Sequence, residues 1–463
     1  MRPETQSTIA QRPAPHRQYA PGPDSGRDRP GWRAGLYPGE PENCRRRTRE
    51  FLLIVLHLGL LLAVFKVYNL ETRAFRTLVI LTLAALPVHY LAAFRWKKPL
   101  FIAVSIVGMF WIYGPATSGC VLAVSAVLLG LCAAPLAWGV RAALIAAVAV
   151  VLAVLRPSTG PIAEALPPGV IPVLAMIFMF RMIIYLYELK HSKAREPLAD
   201  TLSYFFLLPN YCFQLFPVVD YRTMQRGYFA RSINSLQRTG VLMMSRGTVH
   251  LLLYRLIYHE LVIRPDEVHN AASLLGYLVC NYLLYLHVSG QFHLACGMLH
   301  LFGFQLPETH HHYLLATSFT DYWRRINIYW KDFMVRIVFN PVFFRLKRWP
   351  QPAALAAATA LVFVATWWLH AYQKFWLTGA WGFSVHDSLF WGILGVLVLV
   401  NVQCDARRCR ARSLKPTCET PRRIALRAVQ VAGTFSTIAL LWSLWNSAGV
   451  GPWLEMLRRG LSV

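Results

Sequence analysis

The sequence predicts an all-α protein that crosses a membrane many times, with re-entrant or interfacial helices around a central tunnel. Two observations support this fold class. Hydrophobic residues make up 56% of the 463 residues and charged residues only 15%, whereas soluble domains carry about 25% charge. Apolar runs also recur along the chain at lengths near the ~20 residues that span a bilayer, which predicts roughly ten to twelve membrane elements.

The apolar runs are regular in the first part of the chain and become shorter and more polar after residue 200. The full-length candidates are Phe51–Phe65, Thr77–Phe94, Leu100–Tyr113, Gly119–Trp138, Ala142–Leu155, Ala165–Tyr187, Leu274–Val288, Ala353–Leu369, Ser388–Val402 and Ala428–Trp445. The shorter or more polar runs are Leu202–Val219, His250–Ile263 and Phe292–Phe304. Irregular backbone is tolerated at membrane depth only where protein or a cavity surrounds it, so we expect the functional core in this later part.

These changes in composition divide the chain into four predicted parts. Residues 1–43 are rich in Pro, Gly and Arg without apolar periodicity, which is typical of a disordered tail. Residues 44–200 are expected to be scaffold helices, and residues 201–376 the functional core. Residues 377–463 are expected to be C-terminal membrane helices joined by a basic loop.

The formal net charge of +25 reflects basic residues between the apolar runs. The clusters are Arg45–Arg49, Arg222–Arg246, Arg324–Arg348 and Arg407–Arg427. The positive-inside rule places such clusters on the cytoplasmic side of a membrane, and no motif of a nucleic-acid reader accompanies them. We therefore expect a multi-pass protein of the cell (inner or plasma) membrane, with the lipid bilayer rather than nucleic acid as its partner.

The segment at residues 318–333, SFTDYWRRINIYWKDF, combines six aromatic residues with three basic residues, two aspartates and one asparagine. The spacing predicts a helix over Asp321–Met334 with Trp323 and Trp330 on one face, lying at the membrane interface. A simple anchor helix is the alternative. Asn327 argues against that alternative, because a buried amide beside an apolar face needs a hydrogen-bond partner.

His370 follows the uncharged run Ala353–Leu369, which is itself a candidate span. An ionisable side chain near membrane depth is costly and is a functional-site hypothesis by default. Histidine also suits general-base catalysis, because its ordinary pKa lies near the operating pH. The alternative is an imidazole that is satisfied within the core or reaches the interface from a helix end.

The tract His310-His311-His312 is a second histidine feature. Adjacent residues on a loop rarely point at one ion, and only Glu308 accompanies them as a carboxylate. We predict no metal site here.

Three blocks of the sequence resemble the membrane-bound O-acyltransferase (MBOAT) family. They are YFFLLPNYCFQLFPVVDY at Tyr204–Tyr221, GFQLPETHHHYLLATSFTDYWRRINIYWKDFM at Gly303–Met334 and TWWLHAYQKFW at Thr366–Trp376. By position in these blocks, His370 is similar to the family's catalytic histidine and Asn327 to its second polar residue. Many bacterial members have His at the second position and Gly after the catalytic histidine, whereas this chain has Asn327 and Ala371.

The resemblance implies an integral-membrane O-acyltransferase with residues 201–376 as its catalytic core. Such an enzyme moves an acyl group from an activated thioester, acyl-CoA being the expected donor, to a hydroxyl of a lipid or a cell-surface glycan. His370 would act as the general base, and Asn327 would orient the acceptor or donate to the oxyanion. No bound cofactor is expected, since acyl-CoA is a co-substrate.

The same block offers candidates for substrate binding. The basic residues that could steer the phosphates of acyl-CoA are Arg324, Arg325 and Lys331, although positive-inside anchoring explains them equally well. The aromatic candidates for the walls of the reaction chamber are Trp323, Tyr329 and Trp330, although interfacial packing is an equal alternative.

A transporter or flippase for a lipid-linked or anionic solute is the alternative function. Its irregular helices would form the transport path. Common transporters show paired hydropathy repeats in their two halves. Here regular helices come first and irregular ones later, which favours the enzyme.

Overall fold

The computed structural model describes residues 41–156, 166–167, 169–191, 196–213, 219–411 and 420–462. Helices dominate this part of the chain, and its only β-type pairing is an isolated bridge between Tyr228 and Phe304. The predicted all-α fold is therefore confirmed. Residues 1–40 of the predicted tail lie outside the described residues.

Seventeen α-helices follow one another along the described residues. They are α1 (Pro41–Tyr68), α2 (Arg73–Leu91), α3 (Phe94–Ala133), α4 (Trp138–Val154), α5 (Val170–His191), α6 (Leu198–Phe205), α7 (Tyr221–Gly227), α8 (Ile233–Leu256), α9 (Ala271–Leu283), α10 (Leu286–Leu301), α11 (Phe319–Arg325), α12 (Ile328–Met334), α13 (Asn340–Arg345), α14 (Gln351–Thr378), α15 (Val385–Ala411), α16 (Pro421–Trp445) and α17 (Val450–Leu461). Short 3₁₀ turns lie at Leu208–Tyr211, Pro265–Glu267 and Tyr313–Leu315, and π-helical turns at Ile257–Leu261 and Val335–Phe339.

Eight helical stretches in the described residues are long and apolar enough to cross a membrane, and α4 is a shorter apolar helix. The chain is therefore a multi-pass integral membrane protein. The number is below the predicted ten to twelve because neighbouring runs merge. Leu100–Tyr113 and most of Gly119–Trp138 both lie in α3, and α9 and α10 together form the stretch Ala271–Leu301.

Helix α3 contains a sharp turn at Gly114. The residue has a φ of 76°, which favours glycine, and Pro115 follows it. The Ser118 hydroxyl donates to the Met109 carbonyl oxygen at 3.1 Å, although a straight helix would separate residues nine apart by about 13 Å. The two apolar runs of α3 therefore fold back on each other.

Helices α8 and α10 approach closely through paired glycines. A Cβ atom added at Gly240 would lie 2.6 Å from the Gly297 carbonyl oxygen, and one at Gly247 would lie 2.7 Å from the Gly290 oxygen. Small residues allow such backbone contact between membrane helices. Helix α8 is absent from the eight apolar stretches, yet it runs antiparallel along α10, which belongs to one of them.

Arg246 is the last residue of the basic cluster Arg222–Arg246. It lies beside Gly247 in α8, the helix that packs along α10. Because α8 is polar in composition, its pairing with an apolar helix was not evident from hydropathy.

Ion pairs bring three basic residues from different segments together at one end of the bundle. Lys98 at the start of α3 pairs with Asp200, and Arg222 of α7 pairs with Glu188 at the end of α5 at 2.7 Å. Arg336, in the π-helical turn after α12, also pairs with Glu188. We call this the basic end, and the positive-inside rule predicts that it faces the cytoplasm.

Candidate active site

The aromatic segment forms two short helices rather than one. Helix α11 ends at Arg325, and Asn327 adopts a left-handed conformation with φ of 40° and ψ of 65° before α12 begins. The predicted single helix over Asp321–Met334 is therefore wrong. Asparagine tolerates this conformation, and its side-chain oxygen caps the new helix by accepting the Trp330 N–H at 3.3 Å.

The break separates the two tryptophans that were expected to share one helix face. The Trp323 ring packs against Phe363, with 4.8 Å between centroids. The Trp330 ring packs against Phe180 at 5.0 Å and against His370 at 5.5 Å. Only Trp330 of this pair therefore lies next to the predicted catalytic histidine.

The loop between α10 and α11 holds the break in place. The Ile328 N–H donates to the Thr309 carbonyl oxygen at 2.8 Å, and the His311 N–H donates to the Arg325 oxygen at 3.0 Å. His312 in this loop is also left-handed, with φ of 43°. Two strained, non-glycine positions therefore lie in facing segments, and such strain is concentrated at functional sites. Thr309 is buried, whereas Glu308 and His312 in the same loop are exposed.

The His370 ring lies among three indole rings. It stacks on Trp391 with 4.7 Å between centroids, and it contacts Trp330 at 5.5 Å and Trp445 edge-on at 5.9 Å. The side chain is partly buried, and no hydrogen bond from the described residues reaches its ring nitrogens. The imidazole is thus positioned by packing, with both nitrogens left for another molecule.

A carboxylate positions one wall of this site. The Trp445 indole N–H donates to Asp387 Oδ1 at 2.6 Å, and the Ser384 hydroxyl donates to the other oxygen of Asp387. Sequence analysis missed Asp387. The sequence did contain a signal for it: Asp387 is an acidic residue in the first turn of the apolar helix α15, where a buried carboxylate needs a hydrogen-bond donor.

The structure brings Asn327 and His370 to the same residue. Asn327 binds the backbone N–H of Trp330, and His370 contacts the ring of Trp330. The Asn327 amide oxygen is used by the helix cap, so its amide NH₂ is the group left for a substrate.

The three basic candidates differ in their availability. Arg325 pairs with Asp321 at 2.7 Å, and Lys331 pairs with Asp332 at 2.6 Å. Arg324 is exposed and forms no ion pair within the described part of the chain. Arg324 is therefore the most available of the three for a phosphate.

Tyr329 lies away from the indole rings. Its side chain is only 4% exposed, and its hydroxyl donates to the Pro307 carbonyl oxygen at 2.6 Å. It lines a separate cavity of about 320 Å³, together with Asp220, Asp332 and Arg336, at the basic end. The structure thus places Trp330 beside His370 and Tyr329 in a different pocket.

No group of three or more His, Cys, Asp or Glu side chains that could hold a metal ion is found in the described residues. No protein-family model matches the chain, and no curated protein matches it at a significant level.

Proposed function

We propose that this protein is an integral-membrane O-acyltransferase that moves an acyl group from a thioester, acyl-CoA, to a hydroxyl of a lipid or cell-surface glycan. The observation that supports it best is the convergence of His370 and Asn327 on Trp330, at a break in the helices to which the loop after α10 is hydrogen-bonded. The resemblance of the three sequence blocks points to the same two residues.

The reaction requires one base and one oxyanion donor. His370 accepts the hydroxyl proton as the acceptor oxygen attacks the thioester carbonyl carbon, which contributes about 10²–10⁴-fold. The amide NH₂ of Asn327 donates to the carbonyl oxygen as it becomes negative. Collapse of the tetrahedral intermediate breaks the C–S bond, and the imidazolium returns its proton to the leaving thiolate. The products are an ester and a free thiol.

The indole rings around His370 support this chemistry. Trp391 and Trp445 limit the approach of water to the imidazole, which favours transfer to the acceptor over hydrolysis of the thioester. Holding both substrates beside His370 supplies a further part of the rate enhancement. Arg324 attracts the donor phosphates from the cytoplasmic side of the cell membrane.

One observation favours the alternative function, a transporter. Discontinuous membrane helices form the binding sites of many transporters, and α11 and α12 are a broken pair. The resemblance of the three sequence blocks to an acyltransferase family, together with the convergence of His370 and Asn327 on Trp330, favours the enzyme.

The test is acyl transfer by the purified full-length chain in vesicles made from a total membrane lipid and glycan extract. Radiolabelled palmitoyl-CoA is supplied, and base-labile label in the extract and free thiol are measured together. We expect His370→Ala to reduce both signals at least a hundredfold, with unchanged insertion. His269→Ala, at an exposed histidine, is the control and should transfer normally. Normal transfer by His370→Ala, or no transfer by the unmodified chain, contradicts the proposal.

A further inference from the structure

A second group of polar side chains lies between α8, α10 and the loop that follows α10. We call it the α8–α10 polar cluster, and it consists of Arg246, His250, His293, Glu308, His310 and His312. The His293 ring lies 5.2 Å from the His250 ring and 6.0 Å from the His310 ring, and Arg246 precedes His250 by one turn of α8. The cluster plays no part in the acyl-transfer steps described above.

His250, His293 and His310 each form a hydrogen bond, but one ring nitrogen of His293 has no partner. His250 Nδ1 contacts the Ser289 hydroxyl at 3.1 Å, and His310 Nε2 contacts the Tyr285 hydroxyl at 3.0 Å. His293 Nδ1 lies 2.6 Å from the Ser289 carbonyl oxygen, so this nitrogen carries the proton. His293 Nε2 is therefore a hydrogen-bond acceptor, and it is buried without a partner in the described residues, on a side chain only 3% exposed.

Arg246 is the unusual member of the cluster. It lies thirteen residues after the start of α8 at Ile233, or about 20 Å along the helix. The side chain is partly buried, and it forms no ion pair or hydrogen bond within the part of the chain that the structure describes. A partly buried guanidinium that has no ion pair among the described residues is available to bind an anion.

The charge of Arg246 also affects His312, in the loop between α10 and α11. Burial lowers the pKa of His312, and the charges of His311, Arg246 and Arg325 lower it further, whereas Glu308 opposes them. Glu308, the one carboxylate of the cluster, is itself in contact with His311 at 3.1 Å. The cluster is therefore exposed to solvent at His312 and buried at His293.

We propose that the α8–α10 polar cluster binds the anionic head group, a phosphate or carboxylate, of the hydroxyl-bearing acceptor. This inference rests on the acyl-transfer function proposed above, and it specifies the substrate class. The planar Arg246 guanidinium binds two oxygens of the anion at once, which a lysine does not do. His293 Nε2 accepts a hydrogen bond from a hydroxyl of the same head group.

A short series of hydrogen bonds and one ring contact connects the cluster to the candidate active site. Thr309 precedes His310 and accepts the N–H of Ile328, the residue that follows Asn327. Asn327 in turn caps Trp330, whose ring contacts His370. We therefore expect an acceptor whose anion binds Arg246 to reach His370 with its hydroxyl.

The experiment measures binding without turnover, so its outcome is independent of acyl transfer. The full-length chain in detergent is titrated with 1-oleoyl-glycerol 3-phosphate and with 1-oleoyl-glycerol, which lacks only the phosphate. We expect at least tenfold tighter binding of the phosphate-bearing lipid. Arg246→Gln should abolish this difference, whereas Arg238→Gln, at an exposed arginine of the same helix, should preserve it. His293→Phe should weaken binding of both lipids.

Competition identifies the source of the anion. If glycerol 3-phosphate displaces the lipid from the unmodified chain but not from Arg246→Gln, the site is supported and the acceptor is soluble. If it fails to displace the lipid, the anion is carried by a lipid.

Equal affinity for the two lipids overturns the proposal, as does an undiminished preference for the phosphate-bearing lipid in Arg246→Gln. Displacement by coenzyme A that depends on Arg246 also overturns it, because the cluster would then belong to the donor. If Arg246→Gln fails to fold, Arg246→Lys is used instead. It keeps the charge but cannot bind two oxygens at once, so the preference for the phosphate-bearing lipid should fall several-fold.

Discussion

The protein places histidines in two contrasting environments. His370 lies among indole rings with no hydrogen bond from the described residues. His250, His293 and His310, in contrast, are hydrogen-bonded to hydroxyl or carbonyl groups. A ring that is held only by packing keeps both nitrogens for a reacting molecule. A ring that is tied by hydrogen bonds has a fixed orientation and at least one nitrogen already engaged. We therefore expect the two groups of histidines to serve different roles.

The largest expected effect separates the two environments kinetically. His370→Gln should lower kcat by about 10²–10⁴-fold, because it removes the general base. His293→Gln should raise KM for the acceptor with little change in kcat, because it removes a binding contact. Steady-state rates at varied acceptor concentration check both. If His293→Gln lowers kcat as strongly as His370→Gln, the division between catalysis and recognition is wrong.

Asn327 lies between the two environments, and two substitutions separate its roles. Asn327→Asp keeps the capping oxygen and loses the NH₂ donor, so we expect kcat to fall about 10²–10³-fold with little change in thermal stability. Asn327→Ala also loses the cap and should reduce stability by about 1–2 kcal/mol. Thermal unfolding and transfer rates, measured on the same samples, check the pair. Full activity in Asn327→Asp would leave the asparagine with a capping role alone.

The α8–α10 polar cluster depends on the close approach of its two helices. Gly247→Ala should destabilise the protein by about 1–3 kcal/mol, because its Cβ would meet the Gly290 carbonyl oxygen at 2.7 Å. Gly59→Ala is the matched control, since nothing lies within 4 Å of a Cβ added there. Thermal unfolding in detergent distinguishes them. Equal melting temperatures would mean that the helices are not held as tightly as the glycines indicate.

The smallest expected effect concerns the wall of the His370 site. Asp387→Asn keeps an oxygen for the Trp445 indole and replaces a charged hydrogen bond by a neutral one. The difference of about 1 kcal/mol predicts a roughly fivefold lower kcat with KM unchanged. Steady-state kinetics and the fluorescence of the tryptophans report it together. A variant without either change would show that Asp387 does not position Trp445.

The two ends of the aromatic segment show what could be predicted from sequence. Ser318 caps α11 as an N-terminal serine should, and Trp330 and His370 were both selected from their residue types. The break at Asn327 was missed, because the helical spacing of Trp323 and Trp330 continues across it. A left-handed asparagine is stabilised here by the backbone of Thr309, eighteen residues away, and periodicity carries no information about such a contact.

The sequence by itself determined that this is an all-α multi-pass membrane protein, since apolar content and run length are sums over neighbouring residues. It also singled out His370 and Asn327 as candidates for chemistry. The tertiary structure alone decided that Trp330 joins them, that Asp387 supports the indole wall, and that the helix carrying Arg246 packs against α10. Each of these depends on contacts between residues distant in the chain, where burial and hydrogen-bond partners are set by packing rather than by local composition.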